Sequence, residues 1–466
     1  MDKAQQSCLV FNDRGQDNQR ANKKIGRTEM KDLKIGLRRE EKNIWERRVA
    51  VTPDKVSELL ASHGIKTVLE PFRHRSYTDD EFQLQGAFLE KDLSGCPVIL
   101  GIKEVPIASL LSQKTYLFFS HTIKGQKSNM PLLQAVLDKG ITLIDYERIT
   151  DLTGRRLVFF GSWAGLAGML DTLHILGKKL KILGFDTPFL EAKAAYEYHD
   201  AQEAREQIRG LGSRISESGL GAYPKALVFG FSGYGNVSTG AQSIFDLLPH
   251  TELTAQQLHA SAENLKPGLY KTIFREEDMV AHKQGVPFDL DIYYSNPELF
   301  ETRFHEHLPL LDVLINAIYW EEQYPRLVEK KWLAAQDELR LKLICDISCD
   351  VNGSIEITEK ITESDSPDFS YDPKSGQIQD GHEGPGVTVI AVDNLPTELP
   401  RDSSKTFSDS LNPFIPAISK ADYSQPFEDL DLPAEIKKAV ITHQGRLTPN
   451  FSYLQKHLDN FHAENR

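Results

Sequence analysis

Three polar residues follow three apolar runs in the first third of the sequence. Lys103 comes after Val98-Ile-Leu-Gly-Ile102, His121 after Tyr116-Leu-Phe-Phe-Ser120, and Glu147 after Ile141-Thr-Leu-Ile-Asp-Tyr146. If these runs are strands of an open α/β sheet, all three residues fall on the edge where such sheets assemble their sites. Histidine exchanges protons near neutral pH, and lysine supplies positive charge or, with a lowered pKa, a second proton-transfer group. A carboxylate such as Glu147 could hold one of them in place while favouring its charged form. Arg48 precedes the apolar Val49–Val51 stretch and Arg156 follows Gly154-Arg155, so either could grip a carboxylate through two parallel hydrogen bonds. The plain alternative for Arg38, Arg39, Glu40, Glu41, Glu46, Arg47 and Arg48 is a solvated charge run. Together these types suit reductive amination, in which an amine adds to a carbonyl, water leaves and an imine accepts a hydride.

A second signal lies at Ala226-Leu-Val-Phe-Gly230-Phe-Ser-Gly233-Tyr-Gly235-Asn236-Val237-Ser238-Thr-Gly240-Ala241. An apolar strand runs into a glycine-rich turn, and Ala241, Ile244, Phe245 and Leu248 then mark one face of a helix. Glycines let backbone approach a pyrophosphate, and unpaired amides at a helix start stabilise its charge. Gly240 comes five residues after Gly235, a departure from Gly-x-Gly-x-x-Gly that leaves a structural tight turn as the competing reading. The following strand is expected near Pro249 to Leu253, where a ribose-binding acid would favour NAD. Glu252 is nearby, beside Thr251, Thr254 and Gln256, so these residues leave NAD and NADP both open.

The chain that must position these groups has 466 residues, enough for roughly two or three domains. Its net charge of −13 argues against a general nucleic-acid binder, although an anionic small substrate fits a local basic cleft. Cys8, Cys96, Cys345 and Cys349 are too sparse for a zinc site, so reduced thiols and no metal are expected. No apolar run approaches the roughly 20 residues of a membrane span. The first 30 residues are polar and read as a loose tail, and a cytoplasmic protein is expected.

From Lys34 onward short apolar runs alternate with amphipathic ones, as in a mostly parallel sheet covered by helices. Thr52-Pro53 offers a helix N-cap, Gly64 a stop, and a helix is expected between Met130 and Leu137. Trp163, Leu166, Ala167, Leu170 and Leu173 repeat at helical spacing, with glycines 161, 165, 168 and 177 permitting close packing. This helix is expected to carry the chain out of a first domain ending near residue 160. A second α/β pattern runs from Ala226 through Val313–Ile318, Leu343–Ile347 and Val387–Val392, with Glu359–Gly386 read as a long loop or an irregular excursion.

The order of motifs resembles the lysine–ketoglutarate reductase domain of aminoadipic semialdehyde synthase, within the family of saccharopine dehydrogenases and alanine dehydrogenase. The pieces that carry it include Leu37-Arg-Arg-Glu-Glu-Lys-Asn-Ile-Trp-Glu-Arg-Arg-Val-Ala-Val-Thr-Pro53, Gly101-Ile-Lys-Glu104, Phe118-Phe-Ser-His-Thr-Ile-Lys124, Leu143-Ile-Asp-Tyr-Glu147 and Gly154-Arg-Arg156. Gly161-Ser-Trp-Ala-Gly-Leu-Ala-Gly168, Gly235-Asn-Val-Ser-Thr-Gly-Ala241, Ile318-Tyr-Trp-Glu-Glu322 and Asp393-Asn-Leu-Pro-Thr-Glu-Leu-Pro400 extend it over nearly everything after residue 33. The resemblance implies two Rossmann-like α/β domains with an interdomain active-site cleft. It divides the chain into a tail at 1–30, a catalytic domain at 31–160 plus 396–466, and a dinucleotide domain at 161–395. It implies NADPH-dependent condensation of L-lysine with 2-oxoglutarate to saccharopine. Lys103 and His121 then fall at acid/base positions, Glu147 at their charge-tuning neighbour, and Arg48 and Arg156 at substrate carboxylates. Gly233, Gly235, Asn236, Val237 and Gly240 fall in the cofactor loop. The family's acid near the position of Thr254 is missing here, which favours NADP(H) and leaves NAD(H) open. No second unit of comparable size follows, so a standalone enzyme with a separately encoded saccharopine dehydrogenase partner is expected, of undetermined oligomeric state. The alternatives are NAD-dependent cleavage of saccharopine or another opine-type amine, and an NADP(H)-binding sensor without turnover.

Overall fold

Alternating apolar and amphipathic runs become two eight-stranded sheets in the computed structural model, which describes residues 33–464. The expected tail at 1–30 and Cys8 lie outside the described residues. The first strands are β1 (Lys34–Leu37), β2 (Lys66–Leu69), β3 (Phe88–Leu89), β4 (Val98–Leu100), β5 (Thr115–Phe118) and β6 (Thr142–Asp145). Next come β7 (Ala226–Ser232), β8 (His250–Glu252), β9 (Gly268–Phe274), the hairpin β10 (Val280–His282) and β11 (Phe300–Thr302), and β12 (Val313–Asn316). The chain continues through β13 (Leu343–Asp346), β14 (Asp368–Tyr371), β15 (Ile378–Asp380), β16 (Val387–Ile390), β17 (Val440–His443) and β18 (Arg446–Leu447).

The first sheet has the order β18-β17-β6-β5-β4-β1-β2-β3, parallel from β6 to β3 and antiparallel where β17 joins β6. The second has the order β15-β14-β16-β13-β12-β7-β9-β8, antiparallel only at its β14/β15 end. Central strands such as β7 are buried along their whole length because helices cover both faces, which is why they read as unbroken apolar runs.

The helix Pro53–His63 begins after Thr52, carries proline in its first turn and ends on Gly64 at φ 67°. The Thr52 hydroxyl does not cap this helix: Thr52 Oγ1 and backbone N donate to Ser408 Oγ at 3.2 and 3.0 Å. That ties it to the helix Pro400–Leu411, whose Phe407 and Leu411 pack into the first sheet's core beside Ile35 and Val56. Phe160 belongs to the same core, whereas Leu166 to Leu180 of the 22-residue helix Gly161–Ile182 pack against β7, β12 and β13 of the second sheet.

Glycines set how closely this helix meets the helix Asn236–Phe245. A β-carbon at Gly165 would lie 1.7 Å from Val237 O, and one at Gly240 would lie 1.9 Å from Ser162 O. Both obstacles are backbone, so neither position accepts a side chain unless the helices separate.

Two readings of the sequence change here. The expected loop Glu359–Gly386 holds β14 and β15: β14 is buried along its whole length, with Phe369 and Tyr371 in the core, and pairs antiparallel with β16 and with the exposed β15. The seven-residue β9 and the helix Ala201–Ser218 had no place in that reading. In β9, Lys271 interrupts the apolar pattern, yet it is buried and paired with Asp246 at 2.8 Å.

Substituting Gly165→Ala should destabilise the second domain by about 3 kcal/mol, the upper range for overpacking. Thermal unfolding should then show a melting temperature lowered by about 6 to 12 °C.

Candidate active site

The carboxyl ends of four neighbouring parallel strands, in the order β6-β5-β4-β1, converge on one edge of the first sheet. Beyond β4 the chain turns through Gly101 and Ile102 to Lys103. The turn is held by Glu40, whose carboxylate accepts the Ile102 and Lys103 amides at 2.7 and 3.1 Å. Burial, opposed by Arg38, pushes Glu40 up to about 7. Beyond β5 and β6, the buried Asp145 accepts the amides of Ser120 (2.9 Å) and Glu147 (2.8 Å) and so fixes both strand ends.

His121 lies at φ 51°, a left-handed conformation uncommon for a side-chain-bearing residue. Its carbonyl accepts the Asn129 side-chain amide at 2.8 Å. Its Nδ1 lies 2.6 Å from Glu104 Oε1. Burial alone would raise Glu104, but its hydrogen bond and charge contact with His121 bring it down to about 2. An ionised carboxylate only accepts, so Nδ1 carries the hydrogen and Nε2 is left to exchange a proton.

Arg48 is buried, with Nε and Nη2 donating to Glu46 Oε1 and Oε2 at 2.8 and 2.6 Å. Nη2 also reaches Asn394 Oδ1 at 3.2 Å, and the guanidinium lies 4.1 Å from the centre of the Phe160 ring. Burial alone would raise Glu46, and the Arg48 charge and hydrogen bonds hold it below the usual carboxylate range. Burial first, and then Arg48, pull the Lys103 ammonium below its ordinary value against the attraction of Glu46 and Glu104.

Arg48, Lys103, His121, Glu147 and Arg156 line one cleft of about 240 Å³, with Phe119, Phe159, Phe160, Gly161, Asn394 and Pro396 completing its wall. The pairings differ from the sequence expectation in one respect. Glu147 accepts a hydrogen bond from Arg156, and the carboxylate that holds His121 is Glu104. Arg156 gives Glu147 its Nη2 alone and is half exposed. Glu40, Glu46, Glu104, Asp145 and Asn394 were given no site role from sequence. Glu104 could have been found by the strand-end rule that selected Lys103, one residue earlier. A larger recess, about 570 Å³, lies at the opposite end of the second sheet, but there Arg340 and Lys342 are paired with Asp312.

The glycine turn stands beside the cleft: a β-carbon at Gly161 would lie 3.6 Å from Asn236 Cβ. Gly233 takes φ 84°, and Gly235 is the N-cap of the helix Asn236–Phe245, with nothing within 4 Å of where its β-carbon would be. Asn236 and Val237 open the helix, and Gly240 serves its packing on Ser162. The anticipated ribose strand is displaced. β9, not β8, lies beside β7, and Glu252 on β8 pairs with Lys271 at 3.2 Å. Thr254 caps the helix Ala255–Ser261, its hydroxyl accepting the Gln257 amide at 3.2 Å. Among the described residues no cluster of side chains has the makings of a metal site, and Cys345 and Cys349 contact backbone carbonyls.

Two family models match, "Alanine dehydrogenase/PNT, N-terminal domain" over residues 36–167 and "Alanine dehydrogenase/PNT, C-terminal domain" over residues 271–450. The alpha-aminoadipic semialdehyde synthase of Arabidopsis thaliana is 39% identical over 91% of this chain and 41% of its own length. The mitochondrial synthase of Mus musculus is 37% identical over 91% of this chain and 47% of its own length. The chain thus spans less than half of these relatives. A saccharopine dehydrogenase [NAD(+), L-lysine-forming] of Emericella nidulans is 29% identical over 82% of this chain and 91% of its own. An L-alanine dehydrogenase structure shares the fold, with a TM-score of 0.57, 14% identity, and coverage of 92% of this chain and 100% of that one. The cytoplasmic expectation is overturned, because the mammalian synthases carry "mitochondrial" in their names. Among the described residues no helix is long and apolar enough to cross a membrane.

Glu104 is lowered to about 2 from an ordinary 4.5, so its contribution to stability is present above pH 4.5 and lost as pH falls through 2. Urea unfolding near pH 5 should find Glu104→Gln less stable by about 3 kcal/mol, with the difference closing steadily in more acid solution.

Proposed function

The chain is an NAD(P)-dependent oxidoreductase of the saccharopine dehydrogenase/alanine dehydrogenase superfamily, close to aminoadipic semialdehyde synthase, and from that premise we propose that its cleft interconverts saccharopine with L-lysine and 2-oxoglutarate. One observation carries this reading. Lys103, His121, Arg48, Glu147 and Arg156 share a single cleft whose wall, at Gly161, adjoins the start of the helix that follows the glycine turn.

The residues fit a dinucleotide. The empty space at Gly235 admits a pyrophosphate to the turn, and the amides of Asn236 and Val237 are positioned to hold it. When bound, the nicotinamide supplies a hydride to the imine carbon in one direction and accepts it in the other. Lys103, its pKa lowered, takes a proton from the substrate ammonium so that the free amine can add to the 2-oxo carbon. His121, fixed through Nδ1, moves a proton at Nε2 as water leaves or enters. The Nη1 donors of Arg48, unused by Glu46 and Asn394 among the described residues, are suited to one substrate carboxylate. Arg156, half exposed and giving Glu147 only its Nη2, is suited to another. Phe119, Phe159 and Phe160 restrict water at the imine.

The same groups serve both directions. NADPH-dependent condensation rests on the motifs shared with the reductase domain; the synthases are the more similar relatives, but their names give neither cofactor nor direction. NAD-dependent cleavage is supported by the saccharopine dehydrogenases, which this chain covers over about nine tenths of their length. Either way L-lysine, 2-oxoglutarate and saccharopine are the small-molecule partners.

Purified protein should oxidise NADPH or NADH only when both L-lysine and 2-oxoglutarate are present, and should reduce the matching oxidised cofactor with saccharopine, with products identified by mass spectrometry. Specificity constants in each direction decide between the two readings, and nucleotide binding without any product would leave a sensor. His121→Asn should lower kcat by about 10²- to 10⁴-fold, the usual weight of general acid–base catalysis, while leaving cofactor affinity intact. Asparagine suits the φ of 51° that His121 already adopts, so the fold should survive. In the wild type, condensation should rise with pH along a limb lying below the ordinary lysine range, because burial and Arg48 favour neutral Lys103. Lys103→Met should abolish that limb.

A further inference from the structure

The strand order places the adenosine end of the dinucleotide site at a residue not so far assigned. In doubly wound sheets, the residue capping the strand beside the glycine strand meets the 2′ position of the adenosine ribose. An acid there binds a hydroxyl, and an arginine accommodates a phosphate. The neighbour of β7 on that side is β9, paired in register from Ala226↔Gly268 to Ser232↔Phe274. The Gly233 amide then donates to Phe274 O at 3.0 Å, so Arg275 stands level with the glycine turn. Glu252 sits at the level of Lys271 and Phe229, three residues short of that edge and one strand further out. That is about 10 Å down the sheet, at the usual rise of a strand.

Arg275 is exposed, and its guanidinium carbon lies 4.5 Å from the centre of the Tyr234 ring, between Gly233 and Gly235. A cation over this aromatic face is attracted to it, which favours a position beside the glycine turn. Among the described residues it forms no salt bridge. The acids that follow it are largely engaged: Glu276 accepts the Tyr294 hydroxyl at 2.8 Å, and Asp278 accepts the Arg275 backbone amide at 2.9 Å. Glu277 is exposed, and Glu276 is the acid best placed to favour an unphosphorylated ribose instead.

Resting on the dinucleotide reading above, we infer that Arg275, stacked on Tyr234, recognises a 2′-phosphorylated adenosine ribose and sets the chain's preference for NADP(H) over NAD(H). The guanidinium supplies paired donors to the phosphate, and the tyrosine keeps them in plane.

The test is calorimetric and requires no turnover. NADPH, NADH, 2′,5′-ADP and ADP are titrated into the full chain, into Arg275→Gln and into Glu276→Gln, with thermal unfolding as the check on folding. Wild type should bind NADPH and 2′,5′-ADP more tightly than NADH and ADP. Arg275→Gln should weaken the phosphorylated pair about 10- to 100-fold, the range for a charge-assisted hydrogen bond, and change the other pair less than about twofold. Glu276→Gln should leave that preference standing. Equal losses for both pairs, no loss for either, a wild-type preference for NADH, or no binding at all would overturn the assignment. Because no amine or oxo acid is present, loss of the 2′-phosphate preference alone leaves the amine chemistry untouched, absence of all nucleotide binding would overturn the dinucleotide reading as well, and a failed product assay leaves this result standing.

Discussion

Arg48 is the fixed point around which the cleft is organised. Three stretches distant in sequence meet on its guanidinium: Glu46 from the loop after β1, Phe160 from the start of the long helix, and Asn394 from the connection after β16. Asn394 Nδ2 also donates to Glu46 Oε2 at 3.1 Å, closing a triangle of buried polar groups. A buried ion pair of this kind does little for net stability, yet losing one partner strands a charge in low dielectric. The arrangement therefore favours one docking of the two sheets. It also brings a positive charge to Lys103, so the geometry that joins the domains tunes the proton chemistry of the site.

The same device recurs in quieter form. Glu40 and Asp145 each accept two backbone amides from strand ends that carry site residues, and in the second domain Asn316 and Asp346 gather Ser232, Ser348, Ser354 and Thr358 beneath the glycine turn. Amides freed where a strand ends need acceptors, and a buried carboxylate or carboxamide satisfies several at once. The acids thus serve mainly to set the backbone, and Lys103, His121 and Glu147 inherit their positions from it.

Much of this was readable beforehand, for a physical reason. Parallel strands covered on both faces appear as unbroken apolar runs, so the ends of β4, β5 and β6 could be located and the polar residue after each noted. What could not be read depends on neighbours remote in sequence. His121 takes Glu104 while Glu147 is paired with Arg156, and both partners are set by the fold rather than by the local sequence. The ribose strand is expected near Pro249 to Leu253, where β8 lies, whereas β9 inserts between β8 and β7. The pair β14 and β15 is hidden by the surrounding Asp, Ser, Gly and Pro, and the outermost strand, β15, is exposed and need not be apolar. Gly240 was noted for its odd spacing, and only the facing helix explains it.

The antiparallel pairing of β17 with β6 has a consequence for biosynthesis. Nearly 300 residues, including all of the second sheet, separate the two strands. Until the late segment emerges from the ribosome, β6 presents an unpaired margin, and the hydrophobic seats of Phe407 and Val440 stand vacant. Such distant closure slows folding and leaves a sticky template for stray chains. Nascent chains arrested before residue 440 should therefore be the species that chaperones must guard.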